Sequence, residues 1–311
     1  MTYGAPHSID SLPPFGRITA LMLNLQHFTS EAIPLESLPQ WSPWPARLLQ
    51  LNEWTQPIRT VQKVDKEYDK EEYFRCLQFK KERKNATPDE VRSYEFRLPR
   101  DLCVSQKNKL FVLPSEKVLA ADNSMLLETL TPFMNEVEYV VELGCGYGYN
   151  LWTLRNHFPE KNFLGGDYSP NAVTLAGLLY AEHSNIGIEQ FNYYDDTYAL
   201  LERCPPNGKT LLYTRHSIEQ LPSAKKLFET LTQYFDRLSM VVHMEVALEN
   251  YGDDLLDLMR KRYVAVNDYN RDLVGLVRSR PDIELLRNDS DEFGFNALNP
   301  SSVIVWRPRS L

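Results

Sequence analysis

The sequence contains no run of about 18 apolar residues, the length a helix needs to cross a bilayer, so no membrane span is expected. Its four cysteines, Cys76, Cys103, Cys145 and Cys204, are scattered, and no two stand at a C-x-x-C spacing. That pattern suggests neither a zinc site nor a disulfide framework, and it suits reduced thiols in a reducing compartment. Positive charge is in the minority, with 34 Lys and Arg against 42 Asp and Glu and a formal net charge of -8. Such a surface as a whole repels phosphate backbones, so the expected partner is a small molecule, with no nucleic acid and no membrane. Met1 to Pro14 lacks a basic stretch followed by an apolar run, which makes a cytoplasmic location the expectation. There is no internal repeat and no long low-complexity tract, and nothing fixes the oligomeric state.

What is present is enough hydrophobic residue, 43% of a 311-residue chain, to build a sizeable core without staples. From about Asn135 the chain alternates short apolar runs with amphipathic stretches, the signature of parallel strands joined by crossover helices. Strands are expected at Glu138 to Leu143, Asn162 to Asp167, Ile186 to Phe191, Thr210 to Thr214 and Ser239 to Glu245. Helices are expected near Tyr149 to His157, Pro170 to Glu182, Asp196 to Cys204, Gln220 to Phe235, Asp253 to Arg262 and Asn267 to Arg278. Ile283 to Arg287 and Ser301 to Trp306 follow with no helix between them, so if adjacent they pair antiparallel. The implied fold is α/β: a Rossmann-like, doubly wound seven-stranded sheet with an antiparallel last strand, plus a mainly helical N-terminal region. Residues 1–120 are expected to be that N-terminal cap or substrate region, and residues 121–311 the ligand-binding domain. Within the cap, Lys63 to Lys84 is densely charged, with Tyr68, Tyr73, Phe74, Leu77 and Phe79 at roughly helical spacing.

The run Val140-Val141-Glu142-Leu143-Gly144-Cys145-Gly146-Tyr147-Gly148 joins a buried strand to a glycine at every second position. Glycine lets the backbone turn sharply and approach a ligand at the carboxyl end of the first strand. A dinucleotide-binding G-x-G-x-x-G would need glycine where Tyr149 stands. About 20 residues beyond the glycines an apolar run ends in Asp167, placed to accept hydrogen bonds from both hydroxyls of a ribose. Tyr168 follows, then Ser169 and Pro170 as helix cap and first helical residue, with Asp167 itself as part of that cap the plainer alternative.

The segment resembles motif I of the class I S-adenosylmethionine-dependent methyltransferases, and the resemblance covers roughly Asn135 to Arg307. It implies S-adenosylmethionine as cofactor, held by Glu142, Gly144, Cys145, Gly146, Gly148, Asp167 and Tyr168. It also implies an acidic residue facing the adenine after the third strand, Asp195 rather than Asp196. The resemblance says little about the methyl acceptor.

In that architecture the acceptor lies beyond the fourth and fifth strands. His216 stands just past the fourth, and His243 and Glu245 alternate onto one face of the fifth, so these three are the candidate catalytic residues. Ionisable groups on an apolar strand are costly without a partner or a task. The plainer readings are a hydrogen-bonded structural histidine and a solvated strand end. Ser217 and Gln220 fit a capping box. Tyr68, Tyr73, Glu219 and Glu249 are candidate acceptor contacts. Tyr68 and Tyr73 belong either to a lid or to simple packing. A metal on His216, His243, Glu245 and Glu249 has no spacing to support it.

The leading expectation is an O-methyltransferase for a small polar metabolite or sugar. Its alternative is an N-methyltransferase for an amine, guanidine or peptide side chain. A third reading is a catalytically silent, methyltransferase-like binding module.

Overall fold

Lys107 and Asn108 both take positive φ, 48° and 60°, and make the turn that joins β1 (Asp101–Gln106) to β2 (Lys109–Pro114) as an antiparallel hairpin. The protein is described by a computed structural model over residues 31–51, 60–97 and 100–309. The reading of Met1 to Pro14 falls outside the described residues.

Seven further strands form the main sheet: β3 (Tyr139–Leu143), β4 (Asn162–Asp167), β5 (Ile186–Gln190), β6 (Thr210–Arg215), β7 (Leu238–Glu245), β8 (Ile283–Phe293) and β9 (Ser301–Pro308). Their order is β5-β4-β3-β6-β7-β9-β8. The first five are parallel, and β9 runs antiparallel between β7 and β8. The doubly wound seven-stranded sheet expected from the sequence is therefore the fold.

Burial of both faces explains why these strands are apolar almost throughout. Successive residues serve opposite layers. Val140, Leu211, Tyr213 and Val242 pack under the helices Ser115–Met134, Tyr149–His157 and Pro170–Tyr180. Val141, Leu143, Leu212, Val241 and Trp306 pack against Leu227, Phe228, Leu273 and Val274 on the other side.

The N-terminal region is less helical than expected, because it contains the β1–β2 hairpin. A charged cluster anchors that hairpin. Fully buried Arg260 donates to Asp291 Oδ2 at 2.8 Å, to Asp257 Oδ1 at 3.0 Å and to Asn108 Oδ1 at 2.6 Å, while Ser105 Oγ reaches Asp291 Oδ1 at 3.1 Å. The same cluster carries β8 through Asp289 to Asp291, beyond the Ile283 to Arg287 strand expected from the sequence. The chain then runs into the helix Ser115–Met134, so the expected division at residue 120 falls inside one helix. Ahead of the hairpin one long helical segment passes from Val61–Asp65 through a π-helical stretch, Lys66–Tyr73, into Phe74–Glu82. No helix among the described residues is long and apolar enough to cross a membrane.

His243 on β7, a catalytic candidate from the sequence, is fully buried in the core. Trp306 Nε1 donates to its Nε2 at 2.9 Å, which leaves the proton on Nδ1, 3.0 Å from Thr214 Oγ1. Burial drives its pKa down to about 3, so the ring stays neutral. Trp306→Phe removes both indole volume and this donor, and is expected to lower unfolding free energy by about 2 to 4 kcal/mol in urea denaturation.

Candidate functional site

The winding direction of the sheet reverses between β3 and β6, which is where an open α/β sheet leaves a crevice at its strand ends. A cavity of about 550 Å³ opens there. One end is walled by Gly144, Asp167, Tyr168, Asn192, Tyr193 and Tyr194, and the other by His216, Ser217, Gln220 and Asp268. Val64, Asp65, Tyr68, Asp69 and Tyr73 cover it from the long helical segment.

The glycine loop owes its shape to positive φ at Gly144 (73°), Gly146 (55°) and Gly148 (81°). A Cβ at Gly144 would overlap the Cβ of Ser217, and one at Gly146 would lie 2.6 Å from Tyr73 Oη. Gly146 N donates to Asp167 Oδ2 at 2.7 Å, and Ser169 N to Oδ1 at 2.9 Å. Burial pushes the Asp167 carboxyl up to about 6, against the pull of those two bonds. The remaining lone pairs of Asp167 lie at the cavity wall. A side-chain-free approach at Gly144, an acceptor at the end of β4 and tyrosines beside it fit a nucleoside-bearing cofactor in a space of this size.

Several expected cofactor contacts do not line the cavity. Glu142 is fully buried, accepting from Asn150 Nδ2 at 2.6 Å and Tyr213 Oη at 2.9 Å, and burial raises its pKa to about 8. Cys145 turns its sulfur into the core, where a Cβ on Gly165 would meet it at 2.6 Å. Gly146 and Gly148 lie beneath Tyr73 and Ile188 respectively. Asp195 does not face the cavity, and Asn192 is the polar residue of that loop that does, since it directly follows the last buried position, Phe191.

The acceptor-side expectations divide in the same way. His216 lines the cavity with φ of 48°. Both of its ring nitrogens are occupied, Nδ1 by Glu219 Oε2 at 3.0 Å and Nε2 by Ser301 Oγ at 2.7 Å. Burial works to lower its pKa, but the Glu219 and Glu245 carboxylates together hold it above the usual imidazole value. Glu245 is fully buried behind the cavity wall. It accepts from the amides of Ser217 (3.1 Å) and Ile218 (3.2 Å), so it caps this turn in place of the Ser217–Gln220 capping box read from the sequence. Burial, with the neighbouring Glu219 charge, raises Glu245 to about 7. Glu219 is buried against His216 and Asn299, and exposed Glu249 caps the helix Leu273–Ser279 at Gly275 N, 3.1 Å away. Neither lines the cavity, whereas Tyr68 and Tyr73 do. Among the described residues, no three His, Cys, Asp or Glu side chains come together as metal ligands.

Sequence reasoning missed Asp69, Asn192, Ser217 and Asp268 as cavity residues. Only Asn192, at the end of a strand, carried a local signal.

No family model matches the chain. It is 27% identical over 178 residues to a tRNA (guanine-N(7)-)-methyltransferase of Alcanivorax borkumensis, a match covering 54% of this chain and 72% of that protein. It is 27% identical over 138 residues to the like-named protein of Shewanella amazonensis, covering 41% of this chain and 56% of that one. Among solved structures, a SAM-dependent methyltransferase from Anabaena variabilis superposes on 83% of this chain and 99% of its own, with 15% identity and a TM-score of 0.43.

A ligand held through Asp167 would bind with a pH dependence. The folded pKa of this carboxyl is raised, so the proton is held until pH passes about 6, and the ionised form is the better acceptor for ribose hydroxyls. S-adenosylhomocysteine affinity, followed by calorimetry from about pH 5 to about pH 8, should rise through that value. Asp167→Asn should bind more weakly by about 1 to 3 kcal/mol and lose that rise.

Proposed function

We propose that this chain, a class I S-adenosylmethionine-dependent methyltransferase by its glycine loop, its sheet order and its relatives, methylates a ring nitrogen of a nucleic-acid base. The relatives named as tRNA methyltransferases overturn the expectation of a small-molecule acceptor with nucleic acid excluded. Their methyltransferase names also count against a silent binding module. The physical error lay in using total charge. A phosphate feels charges within a Debye length of about 8 Å, so a net charge of -8 spread over the whole surface does not forbid contact at one edge. Lys63, Lys66 and Lys70 are exposed on the segment that covers the cavity.

One observation carries the choice of nitrogen over hydroxyl. His216, the histidine at the cavity, has both ring nitrogens engaged, Nδ1 by Glu219 and Nε2 by Ser301, so neither is free to take a proton from an acceptor in the cavity. An alcohol acceptor needs its proton removed, whereas a ring nitrogen attacks with a lone pair already free. S-adenosylmethionine, when bound, supplies the electrophilic methyl group. The protein's task is then alignment. Tyr68, Tyr193 and Tyr194 give the cavity flat walls on which a base taken out of its stack can lie. Asp65 and Asp268 at the rim favour the positive charge that the ring gains.

The test offers the purified protein radiolabelled S-adenosylmethionine with tRNA, with single-stranded RNA and with a panel of sugars and small metabolites, then identifies the labelled nucleoside. Label in an N-methylated base is expected, and label confined to a sugar or metabolite hydroxyl would overturn the reading. His216→Gln should keep turnover within about 10-fold of wild type, whereas a loss of about 100-fold or more would mark His216 as a general base.

A further inference from the structure

Asp69 and Tyr73 stand four residues apart on the π-helical stretch and reach two points of the same circuit. Asp69 is buried and faces the start of the helix Pro170–Tyr180. Its Oδ1 accepts from Ser169 Oγ and from Asn171 N at 3.0 Å, and Asn171 Nδ2 donates to its backbone oxygen at 3.1 Å. Ser169 N binds Asp167, and Asp167 accepts from Gly146 N. Above Gly146 lies Tyr73 Oη, 2.6 Å from where a Cβ on that glycine would be. The Tyr73 ring packs edge-on to Tyr147 at 6.3 Å, yet its hydroxyl has no hydrogen-bond partner among the described residues. It lines the cavity beside Asp167.

A phenol hydroxyl half-buried among aromatic rings normally finds a partner. Every other polar atom in this circuit has one. The open valence is the hydroxyl, and it points into the space that the glycines keep clear.

We propose that Tyr73 is a cofactor-binding residue whose hydroxyl donates to an oxygen of bound S-adenosylmethionine, and that Asp69 is the positioning residue that holds it there by latching the helical segment to Ser169 and Asn171. This moves Tyr73 from the acceptor contacts, where the sequence had put it, to the cofactor. It also gives the N-terminal segment a defined task in forming the site. The inference rests on the cofactor and not on the identity of the acceptor.

The test is calorimetric titration of the full-length protein with S-adenosylhomocysteine, alongside melting curves. Tyr73→Phe is expected to weaken binding about 5- to 20-fold with Tm unchanged, the loss of one hydrogen bond to the ligand. Asp69→Ala should weaken it at least as much, and the double variant should bind no more weakly than Asp69→Ala alone, because the second residue acts through the first. Should Asp69→Ala lower Tm, Asp69→Asn, which keeps an acceptor for the Asn171 amide, carries the same comparison at smaller amplitude. Unchanged affinity in Tyr73→Phe, or losses that multiply in the double variant, would overturn the proposal. A wild-type protein that does not bind would overturn both it and the cofactor reading. Binding that fails to depend on Tyr73 would leave the cofactor reading standing.

Discussion

Position 144 has room for a hydrogen and nothing more. Because Gly144 carries no Cβ, the end of β3 and the turn after β6 close to contact through Ser217. The Leu143 carbonyl then accepts from Ser217 Oγ at 3.0 Å and from Tyr193 Oη at 2.9 Å, which draws in the loop after β5. Glu245 at the end of β7 secures the same turn by accepting its amides. Elements following four strands are thus tied at one point, and the cavity is what remains beside the knot. A larger residue there would force these elements apart before it touched any ligand.

Beneath this knot the charges are arranged by pairing and not by count. Arg215 is buried and forms an ion pair with Asp122 on the helix Ser115–Met134, while also reaching Asn150 Oδ1 at 3.3 Å. Asn150 in turn binds Glu142. Since Asp122 already answers the guanidinium, Glu142 is left in an apolar surround with two neutral donors, and its proton is correspondingly hard to remove. The acidic residue of the glycine loop is therefore best understood as a brace under the strand.

The sheet was legible because its signals are local. Asn162–Asp167 and Tyr149–His157 coincide with their observed bounds, one fixed by an apolar run ending in aspartate, the other by a glycine before and helical periodicity after. What could not be read depends on partners remote in the chain. Nothing near His243 announces Trp306 or Thr214, yet these two side chains occupy both nitrogens of that imidazole. The hairpin and the continuation of β8 rest on Arg260, and Asp69 acquires meaning only from Ser169 and Asn171, about a hundred positions away. Burial of a charge can be guessed from its neighbours, but its compensation cannot.

The stretch Lys66–Tyr73 has one further consequence. Hydrogen bonds from residue i to i+5 make a wider and poorer ladder than the α-helical segments on either side, Val61–Asp65 and Phe74–Glu82. A segment with weaker internal bonds opens at lower free energy than its flanks. The covering wall of the cavity is tied to the rest of the site by Asp69 at Ser169 and Asn171, by Tyr68 at Gln220 and by the packing of Tyr73 on Tyr147.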